Sequence, residues 1–368
     1  MRVAIITTNI GYGGAEKQVC FLANGLVQLG HQVAIINLNV FGSHLRAHTQ
    51  AYDENVRIYT QYNRLPSPLT NIEWIIKSIR ILRQTKAELV IGFAFTPNYI
   101  AQICGKMVRI PSIISERCDP YKTIPNSWSY RLRLRLINKA DGGVFQTEGA
   151  QAFYSAALQQ KSVVIPNPIV RPEDIAPVKY NVSQKNIISI GRLDDNQQKR
   201  YDVLIQTFAR FNALHPDYNL LLYGNGPLET QIKEWAIKMH IESAVHFMGV
   251  TKSAMQTMSE KGGIFLITSD YEGISNALLE AMAVGMPVVS TDHNPGGARL
   301  LISDHENGLL APMADDEKLC QAICEYAEHP ELAEKCGRNA QEVLKRFAPG
   351  KLLNQWNEYI LSITAKKK

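Results

Sequence analysis

The sequence predicts an α/β protein built as two doubly wound domains, each a parallel sheet covered by helices on both faces. Three observations carry that prediction. Short apolar runs rich in Val, Ile and Leu alternate with amphipathic helical stretches almost from end to end, as expected for strands buried on both faces and joined by crossover helices. The chain has 368 residues, 45% of them hydrophobic, enough to fill two cores of ordinary size. Near the middle, a proline-rich polar segment at 167–184 breaks both periodicities.

In the first half, strands are expected at 3–9 (VAIITTN), 33–39 (VAIINLN), 89–93 (LVIGF), 112–116 (SIISE), 143–147 (GVFQT) and 163–167 (VVIPN). In the second half they are expected at 186–191 (NIISIG), 219–224 (NLLLYG), 245–249 (VHFMG), 264–269 (IFLITS) and 287–291 (PVVST). Each run is shorter than the stretch that follows it and rich in β-branched or large apolar residues, which suits a buried strand. Open α/β sheets bind ligands at the carboxyl ends of their strands. Two such domains are therefore expected to face a central cleft lined by the segments after the strands.

Composition excludes several classes. The 24 glycines and 17 prolines are ordinary counts, so disorder and collagen-like repetition are out. The first residues run straight into a strand pattern, and no apolar stretch approaches the roughly 20 residues that span a bilayer; a cytoplasmic protein is expected. Six cysteines include no C-x-x-C pair. Cys320 and Cys324 lie at helical spacing without a nearby cysteine or histidine pair to complete a zinc site, so all six read as reduced thiols. Residues 1–175 hold 19 of the 39 Lys+Arg but 11 of the 34 Asp+Glu, a surplus of eight positive charges, whereas the remainder has a surplus of three negative ones. An anionic partner would dock on the first half, be it phosphate, lipid headgroup or nucleic acid. Nucleic acid is the weakest of these, because the cations are not interleaved with aromatics.

Four segments could carry chemistry. In N-I-G-Y-G-G-A-E (9–16), Gly11, Gly13 and Gly14 allow a tight turn into a helix whose amino terminus offers N–H groups to an anion. A purely structural turn is the bland reading, and the spacing is not the dinucleotide fingerprint. In I-G-R-L-D-D-N-Q-Q-K-R-Y-D (190–202), Arg192 and Lys199 could converge on one diphosphate as a fork and a point charge; otherwise they are solvated cations. Gly224 and Gly226 in Y-G-N-G-P-L-E, with Gly249 after another strand, would let a flat ligand approach. In the segment 269–291, Ser275 can cap a helix through Ala283 that Gly285 closes. The N–H groups of Gly273, Ile274, Ser275, Asn276 and Ala277 would form an anion hole, with Glu272 and Glu280 on either side as hydroxyl acceptors. There is no D-x-D in the chain, so a carboxylate-held Mg²⁺ has no obvious seat; no metal and no cofactor are expected.

Taken together, G-G-A-E (13–16), G-R-L…K-R-Y-D (191–202), G-N-G-P (224–227), Glu272 with Glu280, A-x-G-x-P-V-V (283–289) and N-G-L-L (307–310) resemble glycosyltransferase family 4. The family's fold is GT-B, and its members are retaining nucleotide-sugar transferases. The resemblance implies an acceptor-side Rossmann-like domain at 1–170, a linker at 171–184, a nucleotide-sugar domain at 185–350 and a last helix at 351–368 that crosses back. It implies that Glu280 holds the nucleotide ribose and Glu272 the donor sugar. Arg192 and Lys199 would neutralise the departing diphosphate with the N–H groups near Ile274, Ser275 and Asn276, while Gly224 and Gly249 border the base. Gly13, Gly14 and Glu16 would lie across the cleft.

Where many relatives place a histidine, this chain reads I-S-E-R-C-D-P (114–120). Glu116 and Arg117 resemble a subgroup of bacterial surface-polysaccharide and lipid-linked oligosaccharide pathways that often uses amino sugars. Glu116 is either an acceptor or sugar contact or a structural salt-bridge partner of Arg117. The donor implied is UDP with an N-acetylhexosamine or hexose, GDP-mannose remaining open, and the acceptor a glycan or lipid-linked glycan. Arg131, Arg135 and Lys139 follow i, i+4, i+8 spacing beside Trp128. They form a contact for an anionic inner membrane face or a lipid diphosphate, or else a solvated charged face. The weighed alternatives are a GT-B sugar-nucleotide epimerase and a nucleotide-sugar binder without turnover.

Overall fold

The computed structural model describes residues 1–11, 14–39, 51–62, 69–122, 127–194 and 196–366. The chain divides into two compact units: Met1–Asn167 with Gly350–Lys368, and Pro168–Pro349.

The first unit carries a seven-stranded sheet of β1 (Arg2–Thr7), β2 (Gln32–Asn37), β3 (Arg57–Thr60), β4 (Leu89–Phe93), β5 (Ser112–Ser115), β6 (Gly142–Phe145) and β7 (Ser162–Val164). Its spatial order is β3-β2-β1-β4-β5-β6-β7, and every neighbouring pair is parallel. Ile5 of β1 pairs with Ile35 on one side and Ile91 on the other. These central residues are fully buried, so the uninterrupted apolar run reflects helices on both faces. Winding reverses between β1 and β4, which opens a crevice at their carboxyl ends. The last helix, Pro349–Ala365, packs on this sheet: Gly143 N–H donates to Tyr359 Oη at 2.8 Å, and a Cβ on Gly142 would lie 2.2 Å from that oxygen.

The second unit repeats the plan with β8 (Asn186–Ile190), β9 (Asn219–Tyr223), β10 (Val245–Gly249), β11 (Ile264–Ile267), β12 (Val288–Thr291) and β13 (Leu309–Ala311). The order is β10-β9-β8-β11-β12-β13, all parallel, so its reversal falls between β8 and β11. Phe208, Phe211, Tyr218 and Tyr326 anchor one core face of this sheet.

All eleven strands expected from the sequence are present. The pattern missed β3 and β13, which close one edge of each sheet. β3 reads RIYT with no fully buried residue, and β13 has three residues; an edge strand needs neither a long apolar run nor two buried faces. Among the described residues, no helix is long and apolar enough to cross a membrane.

Candidate active site

The reversal between β8 and β11 brings together the two loops that carry most of the expected site. After β8 the chain passes Gly191, Arg192 and Asp194 into the short helix Asn196–Lys199. It then turns through Arg200, at φ +50°, into the helix Tyr201–Leu214. After β11 it runs from Thr268 to Ser275, whose side chain caps the helix Asn276–Ala283 by accepting from Leu278 N–H at 3.4 Å. The loops are laced to each other. Thr268 Oγ1 lies 2.9 Å from the Lys199 carbonyl and 3.2 Å from that of Arg200. Asp270 N–H donates to Gln198 O at 2.9 Å, and the Arg200 guanidinium spans Asp202 and Asp270 at 3.0 Å each. The Asp202 hydrogen bonds raise the Arg200 guanidinium above its ordinary value, so this cation is committed to structure.

Lys199 and Glu272 meet directly. The lysine stem passes over Gly191, where a Cβ would lie 3.5 Å from Cε. Its Nζ reaches Glu272 Oε1 at 2.5 Å, with side-chain exposures of 19% and 12%. Ser269 Oγ donates to the same carboxylate oxygen at 3.1 Å. Lys199 is thus paired with Glu272 in this structure, while Arg192 pairs separately with Asp194. Among the described residues the Arg192 guanidinium pairs with Asp194 at 3.3 Å, and its side chain is 78% exposed, a loose surface pair that costs little to break.

Gly273, Ile274 and Ser275 are buried, and Asn276, Ala277 and Glu280 are partly buried along the first turns of the capped helix. Its leading N–H groups have no intrahelical acceptor by construction, and the helix dipole favours an anion there. Gly224 has φ +140°, and a Cβ would lie 1.8 Å from Gly191 O; its N–H donates to Gly249 O at 2.8 Å. The close approach permitted by Gly224 is therefore that of the Gly191 backbone, which fixes the loop carrying Arg192. Gly249, at φ +70°, has open space where a Cβ would point.

In the first unit, Glu116 follows β5 and is 4% exposed. Its Oε1 accepts from Arg117 N–H at 2.9 Å and Cys118 N–H at 3.2 Å, and Oε2 accepts from Tyr154 Oη at 3.1 Å. Burial raises its carboxyl above the ordinary value against those hydrogen bonds. The salt bridge weighed for Glu116 and Arg117 is not formed. The Arg117 guanidinium instead lies over the Phe93 ring at 4.9 Å and the Trp356 ring at 5.5 Å, the rings themselves stacked 6.1 Å apart. Burial pulls the guanidinium below its ordinary value. Glu16 sits in the first turn of the helix Gly14–Gln28, partly buried, with Gly14 exposed at its start. Gly13 lies outside the described residues. On the helix Trp128–Ile137, Arg131 and Arg135 are exposed beside Trp128, while Lys139 lies in the turn beyond the helix.

The sequence pattern missed three residues of the β8–β11 site. Ser269 steadies Glu272, and buried Tyr201 donates its hydroxyl to Arg192 O at 3.1 Å. His293, just past β12, is fully buried with neither ring nitrogen hydrogen-bonded. Burial lowers its imidazole below the ordinary value against the pull of the Glu272 carboxylate. A histidine after a strand was the available signal, but only pairing of the strands reveals what it adjoins.

Residues 12–171 match the family model described as Glycosyltransferase Family 4, and residues 170–343 the one described as Glycosyl transferases group 1. A Campylobacter jejuni protein named N-acetylgalactosamine-N,N'-diacetylbacillosaminyl-diphospho-undecaprenol 4-alpha-N-acetylgalactosaminyltransferase is 31% identical over 380 residues, covering 98% of this chain and 99% of the relative. The chain belongs to glycosyltransferase family 4. A second Campylobacter jejuni glycosyltransferase of this family 4 enzyme's relatives, named for adding N-acetyl-D-galactosamine to a diNAcBac-PP-undecaprenol glycan, is 24% identical with 99% of both chains covered. Anabaena HepE in complex with UDP and glucose superposes with a TM-score of 0.80 at 18% identity, over 98% of this chain and 99% of its own. The lipopolysaccharide outer core galactosyltransferase WaaB gives a TM-score of 0.76 at 19% identity, over 98% and 99%. At these identities the likeness establishes the fold, and the family 4 enzyme has the GT-B architecture of two parallel-sheet α/β domains.

Proposed function

We propose that this family 4 glycosyltransferase is a retaining enzyme that moves an N-acetylhexosamine or hexose from a UDP-linked donor to a lipid-linked or glycan acceptor, with no metal ion in the transfer step. The observation that carries the reading is the Lys199–Glu272 pair at the β8–β11 reversal, beside the capped start of the helix Asn276–Ala283. A diphosphate arriving at that helix start competes with Glu272 for the ammonium. Once Lys199 turns to the phosphate, the Glu272 carboxylate is left to accept from sugar hydroxyls, with Ser269 holding its orientation. Binding the donor thus converts an internal ion pair into two ligand contacts.

Arg192, loosely held, swings onto the diphosphate and, with Lys199, stabilises the charge that grows as the glycosidic oxygen leaves. Glu280 accepts from the ribose hydroxyls, and Gly249 leaves room for the base, while Gly224 lets the Gly191 backbone close in beside it. Retention follows from substitution on one face of the sugar: the acceptor hydroxyl attacks the anomeric carbon while its proton passes to the departing phosphate oxygen. The protein's part is orientation and charge stabilisation. Glu116 contributes by fixing the 116–118 backbone, since both its oxygens are engaged. The relatives' printed substrates support an amino sugar and a polyprenyl diphosphate glycan, and the UDP of a solved neighbour supports the base.

The test is a melting-temperature panel of UDP, GDP and ADP with EDTA, followed by turnover with the corresponding sugars. A ligand bound only by the native state stabilises it, by about 2.7 kcal/mol at 100 times Kd. UDP alone should raise the melting temperature, and the product should keep the donor's anomeric configuration by NMR. Selective stabilisation by GDP, or an inverted product, overturns the reading.

A further inference from the structure

The helix Tyr201–Leu214 begins at the donor loops and ends about 20 Å away, at 1.5 Å per residue. Its C-cap is His215. The neighbouring helix Asp316–Glu328 presents Cys320, Cys324 and Glu328 at i, i+4, i+8 spacing, hence along one face. Packing brings that stripe to His215: one ligand atom from each of His215, Cys324 and Glu328 lies within 4.8 Å of the others. His215 Nε2 is buried, 3.5 Å from Glu328 Oε1, and makes no hydrogen bond. The imidazole is fixed by stacking on Phe211 at 4.8 Å, with Tyr218 edge-on at 6.0 Å. Cys324 is a free thiol.

We propose that His215, Cys324 and Glu328 form a binding site for a zinc-type divalent transition metal that ties these two helices together, distinct from the donor site. One imidazole, one thiolate and one carboxylate are the ligand types that zinc accepts. Tetrahedral zinc with bonds of roughly 2.0–2.3 Å sets its donors about 3.5 Å apart, so the three atoms need to close by little more than side-chain rotation. A water completes the fourth position, so Cys324 is the one thiolate of the site. The carbonyl end of the Tyr201–Leu214 helix adds favourable electrostatics for a cation. Binding replaces the Cys324 thiol proton with the metal, so one proton is released and no redox step is involved. The sequence could not reveal the site, because the histidine comes from a different helix. The role is structural, and the proposal is independent of the transfer mechanism.

The test uses the full chain, reduced and stripped with EDTA, titrated with Co²⁺ and then Zn²⁺. One Co²⁺ per chain should bind with intense tetrahedral d–d bands and a thiolate-to-cobalt charge-transfer band, both erased by Zn²⁺. Cys324→Ser should lose the charge-transfer band, and His215→Gln should weaken binding at least about tenfold. Cys118→Ser, which removes an exposed thiol, should change neither. Zn²⁺ should raise the melting temperature of the wild type and not of His215→Gln. A wild-type spectrum without the thiolate band overturns the site whatever the variants do, as does a band that survives Cys324→Ser or vanishes with Cys118→Ser.

Discussion

A lysine and a glutamate 2.5 Å apart, each less than a fifth exposed, explain how one small set of side chains can serve both donor halves. In the proposed mechanism Lys199 and Arg192 act mainly on the leaving group, so their loss belongs in kcat. Lys199→Ala and Arg192→Ala should each lower kcat by about 10²–10³-fold, the range for losing one charge-stabilising group. Initial rates at saturating donor check this, and near-normal turnover in both removes the diphosphate assignment. His293 supplies a pH signature. Its folded-state value lies below that of the unfolded chain because burial disfavours the charged ring. The unfolded state therefore binds more protons, and stability present near neutrality is lost as pH falls below about 6.5. Urea unfolding between about pH 7.5 and 5.5 should show a steeper loss in the wild type than in His293→Gln; equal slopes would mean His293 carries no such linkage. Arg192, Lys199 and Glu272 stood out in the sequence because each follows a strand. The Lys199–Glu272 partnership and His293 did not, because both depend on which strands become neighbours in the folded sheet.

Strands buried on both faces announce themselves as apolar runs, and the capped helix after β11 announces itself through Ser275 and Gly285. The edge strands β3 and β13 were illegible because their position, between a sheet and solvent or a helix, leaves no such run. The elements also tell what the site tolerates. Ser275→Ala removes the side-chain acceptor for Leu278 N–H and should destabilise the second unit by about 1 kcal/mol, a fall of roughly 2–4 °C in melting temperature for a unit of this size. Gly224→Ala is a harsher change: at φ +140° with Gly191 O 1.8 Å from the added carbon, the β8 loop must move. The expected cost is about 2 kcal/mol or more. Donor affinity should fall with it, because Arg192 rides on that loop. A Gly224→Ala protein with wild-type melting temperature and donor Kd would show that the two loops are not coupled as described.

At the scale of the whole chain, the uneven charge matters most. The eight-charge surplus of residues 1–175 includes Arg131 and Arg135, exposed on the helix Trp128–Ile137 with Trp128 and Leu132, which are 77% and 41% exposed. Arg133 on the same helix turns inward, its guanidinium 4.9 Å over the Tyr99 ring, so the basic and apolar side chains left outside share a surface. An exposed indole beside two guanidiniums suits the boundary between headgroups and acyl chains. Each basic residue near an anionic surface contributes about 1 kcal/mol. Replacing Arg131 and Arg135 with Gln should therefore reduce partitioning onto vesicles rich in anionic lipid by roughly 30-fold. Wild-type binding should also fade as salt is raised towards 1 M, where the screening length shrinks to about 3 Å. Turnover on a water-soluble acceptor should be unaffected by the double substitution, since the proposed donor residues lie in the other unit. If the wild type fails to bind such vesicles even at low salt, the helix is a solvated charged face and the acceptor must be captured elsewhere.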